Sequence, residues 1–343
     1  MMCFRNEKWT IALRNFCFFA YKLSFYHTVS KGGDFLKEKI KTFLSVCVLV
    51  VAIPYIVTLL FQGKDTKEGE QAMEQLIKQE TPLIVELNGQ QLEVEEYLAG
   101  IVALEIPLDS EPEAIKAQAV IARTELLGAV EAQGTLPDAM SLKEMLTLWG
   151  QDGFEKNYQV LEEAIKDTEG EVLLWKEKLI QPAFHAVSAG QTRKAKEALG
   201  IKQPYLKNVD SKVDISSPNY LKVVFFEKNA LTEKLKQACP DAELSAETII
   251  DQIIVSKRDS SDYVLEVQVG TTVITGEEFR NCLGLNSACC FLKEVEGQIR
   301  IVTKGLGHGL GLSQYGANQM AKEGGGYKDI LTYYYSNTKV EKK

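Results

Sequence analysis

The sequence predicts an α/β fold held behind a single N-terminal membrane helix, and three observations predict it. A charge-free run from Phe43 to Phe61 (FLSVCVLVVAIPYIVTLLF) approaches the roughly 20 residues that span a bilayer core. Two strand-like runs separated by Asn88-Gly89 follow it. Two segments of helical apolar period then meet at Pro107.

The elements divide the chain into residues 1–42, a transmembrane helix at 43–62, a stalk at 63–82 and a folded domain at 83–343. Residues 1–42 carry a largely apolar stretch from Trp9 to Tyr21, interrupted by Arg14. A peripheral amphipathic segment and an upstream extension from a misplaced start codon both remain open for it. The apolar run is long for a signal peptide, and Gln62-Gly63-Lys64-Asp65 lacks a small-residue cleavage site, so an uncleaved anchor is expected. Pro54 kinks such a helix without excluding it. Lys37, Lys39 and Lys41 precede the run, while Asp65, Glu68, Glu70 and Glu74 follow it. This bias places the N-terminus in the cytoplasm and the large C-terminal part outside.

The folded domain opens with Leu83–Leu87 and Gln91–Val94 as a hairpin. From Glu95 to Ile106 the residues Tyr97, Leu98, Ile101, Val102 and Leu104 recur at helical spacing, and Pro107 ends the helix. Ser110-Glu111-Pro112-Glu113 reads as a capping box for a second helix running to about Val130. Glu105 sits at the joint among apolar neighbours. Burial there would raise its pKa, as a general acid working near neutral pH requires; a surface glutamate at a helix end is the plainer alternative. Lys116 and Arg123, seven residues apart, share one face of the second helix. They are either a solvated edge or a pair that contacts a ligand or fixes Glu105. A cation beside Glu105 would lower its pKa, so in the second case burial must win. Farther on, Leu221–Phe226 and Ile249–Val255 read as strands around a helix at Leu231–Ala238, a scaffold with no assigned chemistry.

Composition narrows the classes of partner. With 39 Lys and Arg against 47 Asp and Glu, the net charge of −8 argues against nucleic acid. Seven cysteines occupy positions 3, 17, 47, 239, 282, 289 and 290. A Cys239–Cys282 cross-link and buried free thiols both stay open. Metal binding by Cys282, Cys289, Cys290 and His308 lacks any CxxC support, and no metal or other cofactor is expected.

The phrase VEEYLAGIVALEIPLDSEPEAIKAQAVIARTELL resembles the opening motif of the SpoIID/LytB domain family. Gly100 to Pro107 fits its Gly-Val-Val-Ala-x-Glu-x-Pro step, and Ala114 to Thr124 fits the Ala-x-Lys-Ala-Gln-Ala-x-Ala-Ala-Arg-Thr that follows. Ile101 and Ile121 are apolar departures. A second block, Asp167 to Leu174 and then Phe184 to Thr192, carries a Ser188-x-Gly190-x-Thr192 turn. A third spans Gly276 to Leu285 and GLGHGLGLSQYGA from Gly305 to Ala317, and ends at Tyr333-Tyr334-Tyr335.

The resemblance implies an α/β domain with a mixed sheet, a helical hairpin carrying the site, and a groove for peptidoglycan glycan strands. It implies cleavage between N-acetylmuramic acid and N-acetylglucosamine, with Glu105 as catalytic acid/base and Lys116 and Arg123 functionally important. It also implies septal wall thinning during forespore engulfment, with a wall amidase and a multi-spanning membrane scaffold as partners; a non-catalytic amidase enhancer is the alternative. Some members hold zinc between the first two blocks, but Leu146 to Val160 has neither His nor Cys, so none is expected there.

Ser188 and Thr192 join the expected supporting residues. In the glycine-rich stretch, close backbone approach would offer donors to a sugar, with His308, Ser313, Gln314 and Tyr315 as side-chain contacts. For His308 a purely structural hydrogen-bonding role stays equally open. The stretch fits neither a dinucleotide fingerprint nor a nucleophile elbow.

Overall fold

The computed structural model describes residues 84–87 and 90–343. The expected transmembrane helix, the segments on either side of it and the Asn88-Gly89 turn lie outside the described residues. Among the described residues, no helix is long and apolar enough to cross a membrane. The described residues belong to one compact unit.

Strands β1 (Ile84–Leu87) and β2 (Gln90–Glu93) pair antiparallel with Leu87 opposite Gln90. The chain then enters α1 (Val94–Glu105), whose apolar stripe of Leu98, Ile101 and Val102 is wholly buried. Ile106 is extended, as a residue before proline must be, and the helix stops at Glu105.

Helix α2 (Pro112–Gln133) runs slightly longer than expected. Its start corrects the expected capping box: Glu111 is the N-cap and caps with no side-chain bond. The Glu111 N–H instead donates to Asn318 Oδ1 at 2.7 Å, from far along the chain. A true capping box, Ser141 with Glu144, opens α3 (Leu142–Asp167), which is kinked at Gly150.

These three helices pack with β3 (Glu171–Trp175) and two C-terminal helices, labelled α7 and α8 below, into the first core. Ile115, Ile121, Leu126, Leu161, Val172 and Leu173 are fully buried in it. Strand β4 (Lys178–Leu179) folds back on β3, whose other edge takes the final strand, β13 (Lys339–Lys342). Strand β5 (Phe184–His185) pairs parallel with β12 (Leu312–Ser313), and a short α4 (Ala195–Ala198) follows β5. Helices α7 (Gln314–Lys322) and α8 (Tyr327–Tyr334) complete this half.

A second core is built between residues 221 and 304. It contains β6 (Leu221–Glu227), α5 (Lys228–Ala238), β7 (Ile253–Arg258), β8 (Val264–Val269) and β9 (Thr272–Thr275). Helix α6 (Gly276–Leu283), β10 (Cys290–Val295) and β11 (Gln298–Lys304) close it. The strand expected at Ile249–Val255 begins only at Ile253, because Ile249 is fully buried from a turn that precedes it. The expected mixed sheet is likewise corrected. Five small sheets share the strands among the described residues, and β5–β12 is their one parallel pair. Cys239, Cys282, Cys289 and Cys290 are free thiols, and the Cys282 Sγ donates to the Lys234 carbonyl at 3.1 Å.

Candidate active site

Glu105 is the last residue of α1, and the tight turn through Pro107 points the next helix back along it. Two of its hydrogen bonds come from neutral amides. Gln118 Nε2, nearly two turns into α2, donates to Glu105 Oε2 at 2.8 Å. Gln314 Nε2, at the start of α7, donates to the Glu105 carbonyl at 2.8 Å and to Gln118 Oε1 at 3.3 Å. Three separate elements therefore meet at Glu105, with Gln118 on its carboxyl and Gln314 on its backbone carbonyl.

Burial pushes the Glu105 carboxyl up to about 7, against a smaller lowering by the Gln118 hydrogen bond. The Glu125 carboxylate adds to the rise. A helix C-terminus offers a carboxylate no favourable dipole. No cation contributes to this balance, so the tension anticipated from Lys116 and Arg123 does not arise.

Both cations are engaged elsewhere. Arg123 is fully buried, so it is no solvated edge. Its Nε and Nη2 grip the Glu95 carboxylate of α1 at 2.9 and 2.7 Å. The same guanidinium donates to the Glu171 carbonyl at 3.1 Å and the Ile165 carbonyl at 3.3 Å, tying α1, α3 and β3 together. Such a planar fork is what Arg offers and Lys does not. Lys116 bridges Glu113 and Asp167, each at 2.8 Å, and those partners raise its pKa to about 12.

The polar residues of the second and third blocks are also absorbed internally. Gly305, Gly307, Gly309 and Gly311 all have positive φ. A Cβ at Gly305 would lie 2.7 Å from the Val187 carbonyl, and one at Gly311 only 1.7 Å from the Ala183 carbonyl. The loop is pressed onto residues 183–193, and several of its backbone donors are spent within the protein. Leu306 donates to Val187, Leu312 to Ala183 and Tyr315 to Ala186, with Gly305 turned to the Tyr220 carbonyl. The expectation of backbone donors facing a sugar is corrected for these groups: a buried N–H must find a partner, and the protein supplies it.

Ser188, Thr192 and Ser313 are fully buried. Asp214 Oδ2 accepts from the Ser188 N–H at 2.7 Å and from the Ser313 hydroxyl at 2.8 Å. Thr192 Oγ1 bonds the Lys207 carbonyl and the Val209 N–H. His308 Nδ1 accepts from the Leu310 N–H at 3.1 Å, the structural alternative, and burial lowers its pKa. Its ring lies 5.9 Å from that of His185, which burial lowers to about 3. Among the described residues no three His, Cys, Asp or Glu side chains are grouped to hold a metal. Of the third block, Gln314 reaches Glu105, and half-buried Tyr315 stands next to it in the chain.

Two residues of the site were not anticipated. Gln118 was visible only as part of a motif, and Glu125 not at all. Their spacing of seven on α2 is the signal that could have found them, because it repeats the Lys116–Arg123 spacing on an adjacent face. Glu125 is half-buried, makes no hydrogen bond or ion pair among the described residues, and is raised by burial. It heads a groove of about 960 Å³ that follows α2 through Gly128, Ala129 and Ala132 toward Leu179 and Pro182. Glu105 is not in that lining; Glu125 is the carboxyl that links the two.

Comparison with known proteins agrees with the opening motif. Residues 87–175 match the family model described as SpoIID, stage II sporulation protein. Stage II sporulation protein D of Bacillus amyloliquefaciens is 30% identical over 332 residues, covering 86% of this chain and 93% of that protein. Its counterpart in Bacillus subtilis (strain 168) is 30% identical over 337 residues, covering 89% and 96%. The amidase enhancer of Bacillus subtilis is 26% identical over 291 residues, 70% of this chain and 40% of that one. The chain belongs to the SpoIID family of stage II sporulation proteins.

Proposed function

We propose that this protein is a membrane-anchored lytic transglycosylase that cuts peptide-free peptidoglycan strands between N-acetylmuramic acid and N-acetylglucosamine. The observation that carries this reading is a half-buried Glu105 whose acidity lies at about 7, held by amides and not by a cation. Half of such a group is protonated near neutral pH, which suits a single residue that must both give and take a proton.

In the reaction, protonated Glu105 donates to the glycosidic oxygen as the bond from the muramic anomeric carbon breaks. The 6-hydroxyl of the same muramic residue then attacks that carbon, and its proton passes to the Glu105 carboxylate. The products are a 1,6-anhydro end and a free N-acetylglucosamine hydroxyl, with no water consumed and the acid regenerated. One carboxyl suffices, unlike the paired carboxylates of hydrolysis. Gln118 orients the carboxyl, Gln314 fixes Gln118 and the Glu105 backbone, and Glu125 opposes the ionisation of Glu105. The site acts outside the cell, at the sporulation septum, alongside a wall amidase that strips stem peptides and a multi-spanning membrane scaffold.

The second reading, a wall-binding amidase enhancer without chemistry of its own, is favoured by the 26% likeness to a protein of that name. Mass analysis of denuded glycan strands treated with the purified protein separates the two. The enzyme yields anhydro ends, and Glu105→Gln reduces them by roughly a hundred- to ten-thousandfold while leaving the fold intact. A wild-type protein that stimulates an amidase but yields no anhydro ends is an enhancer.

A further inference from the structure

The sheet β10–β11–β6 has one face in the second core and one in solvent, and the solvent face is unusual in what it carries. Strand alternation places Val224, Phe226, Leu292, Ile299 and Ile301 inward. The outward side of such a sheet is ordinarily polar. Here Leu221, Val223 and Phe225 are 54, 41 and 54% exposed along the edge strand β6, with Phe291 at 36%.

Cations are set among these apolar groups. Register places Phe225 opposite Arg300, Arg300 opposite Lys293, and Leu221 opposite Lys304. The Arg258 guanidinium lies 4.5 Å and the Lys304 ammonium 5.0 Å from the Phe291 ring centre. None of Arg258, Lys293, Arg300 and Lys304 meets a carboxylate among the described residues: Arg258 uses backbone carbonyls, and the buried Arg300 Nε has no partner. The one acid of this face, Glu227, is held by Gln298 at its far end. In a chain of net charge −8, four cations without counter-charges beside four exposed apolar side chains form a local exception.

We infer that this face docks on a phospholipid surface bearing anionic headgroups. Phosphates would supply the missing counter-charges, and Leu221, Val223, Phe225 and Phe291 would enter the headgroup–acyl boundary. A soluble polyanion would satisfy the cations alone and leave the apolar side chains in water. Interfacial binding combines the two contributions. Where Phe43–Phe61 is anchored in a bilayer, the connection through residue 83 is short enough to keep the domain beside that bilayer, so weak affinity suffices. The inference is independent of the chemistry at Glu105.

The described residues close both cores within one unit, so residues 71–343 allow the test without the apolar run. Co-sedimentation is measured with vesicles one-third phosphatidylglycerol and with vesicles of phosphatidylcholine alone. Binding is expected to the anionic vesicles. It should fall roughly a hundredfold in Lys293→Gln/Arg300→Gln/Lys304→Gln, and roughly tenfold in Leu221→Ser/Phe225→Ser. Thermal melting checks that variants at these five positions keep the fold. Absence of vesicle binding, or full binding by the apolar double variant, overturns the inference. So does an acidic protein that occupies the face while the purified unit ignores vesicles.

Discussion

The joint between α1 and α2 and the glycine loop that closes on residues 183–193 are both rich in polar groups, and they use them in opposite ways. In the loop, the Ser188 N–H and the Ser313 hydroxyl converge on Asp214, Thr192 bonds two backbone groups, and His308 takes a neighbouring N–H. At the joint, Glu105 keeps a shifted acidity and Glu125 has no partner at all among the described residues. The difference separates a framework from the proposed reaction site. Satisfied buried polar groups stiffen a fold, whereas a titratable group left under-satisfied beside a groove stores reactivity.

The sharpest way to break this comparison is at Arg123, which belongs with the framework although it lies on the helix of the site. Arg123→Met leaves the Glu95 carboxylate and two carbonyls without their donor. It should cost about 3–5 kcal/mol, read as a large drop in melting temperature that accompanies any loss of activity. A variant of unchanged stability and lost activity would move Arg123 into the site instead.

Glu105→Gln should do the reverse and stabilise. Folding raises this carboxyl from its ordinary range to about 7, so the folded state binds more protons between those limits. Stability from this group is therefore present at acid pH and lost as pH rises toward 7. The variant should gain on the order of 1–3 kcal/mol at pH above 7, and less in acid. Denaturant melts at two pH values check the sign.

Ser313→Ala removes a buried donor to Asp214 and should cost about 1–2 kcal/mol. The pH dependence of cleavage should not move, because the Ser313 hydroxyl bonds Asp214 and not Glu105. The smallest expected effect is at Glu125→Gln, which removes one of the two influences that raise Glu105. The alkaline fall of activity should shift to lower pH by less than about one unit, with the maximal rate little changed.

Local rules made much of the first core legible in the sequence. Apolar spacing, Pro107 and the strand expected at Gln91–Val94 placed the hairpin and both helices to within a few residues, because each signal acts within one turn or one strand. Groups that meet across the chain were not legible. Glu95 lies 28 residues before Arg123, so nothing local distinguished a buried clamp from a solvated edge. Ser110 and Glu113 have the right types for a capping box, yet Asn318 from α7 takes the role at Glu111. The four alternating glycines announced a special backbone. What presses against it, the carbonyls of Ala183 and Val187, is supplied by a distant segment.

The amide of Gln314 reaches the Glu105 carbonyl across 209 residues of chain. The family-model match ends at residue 175, so that stretch contains the acid and Gln118 but not the third support. A polypeptide still being synthesised therefore carries Glu105 and Gln118 without Gln314. The arrangement around Glu105 is complete only when nearly all of the chain has been made, so under the proposed activity the order of synthesis would act as a safeguard.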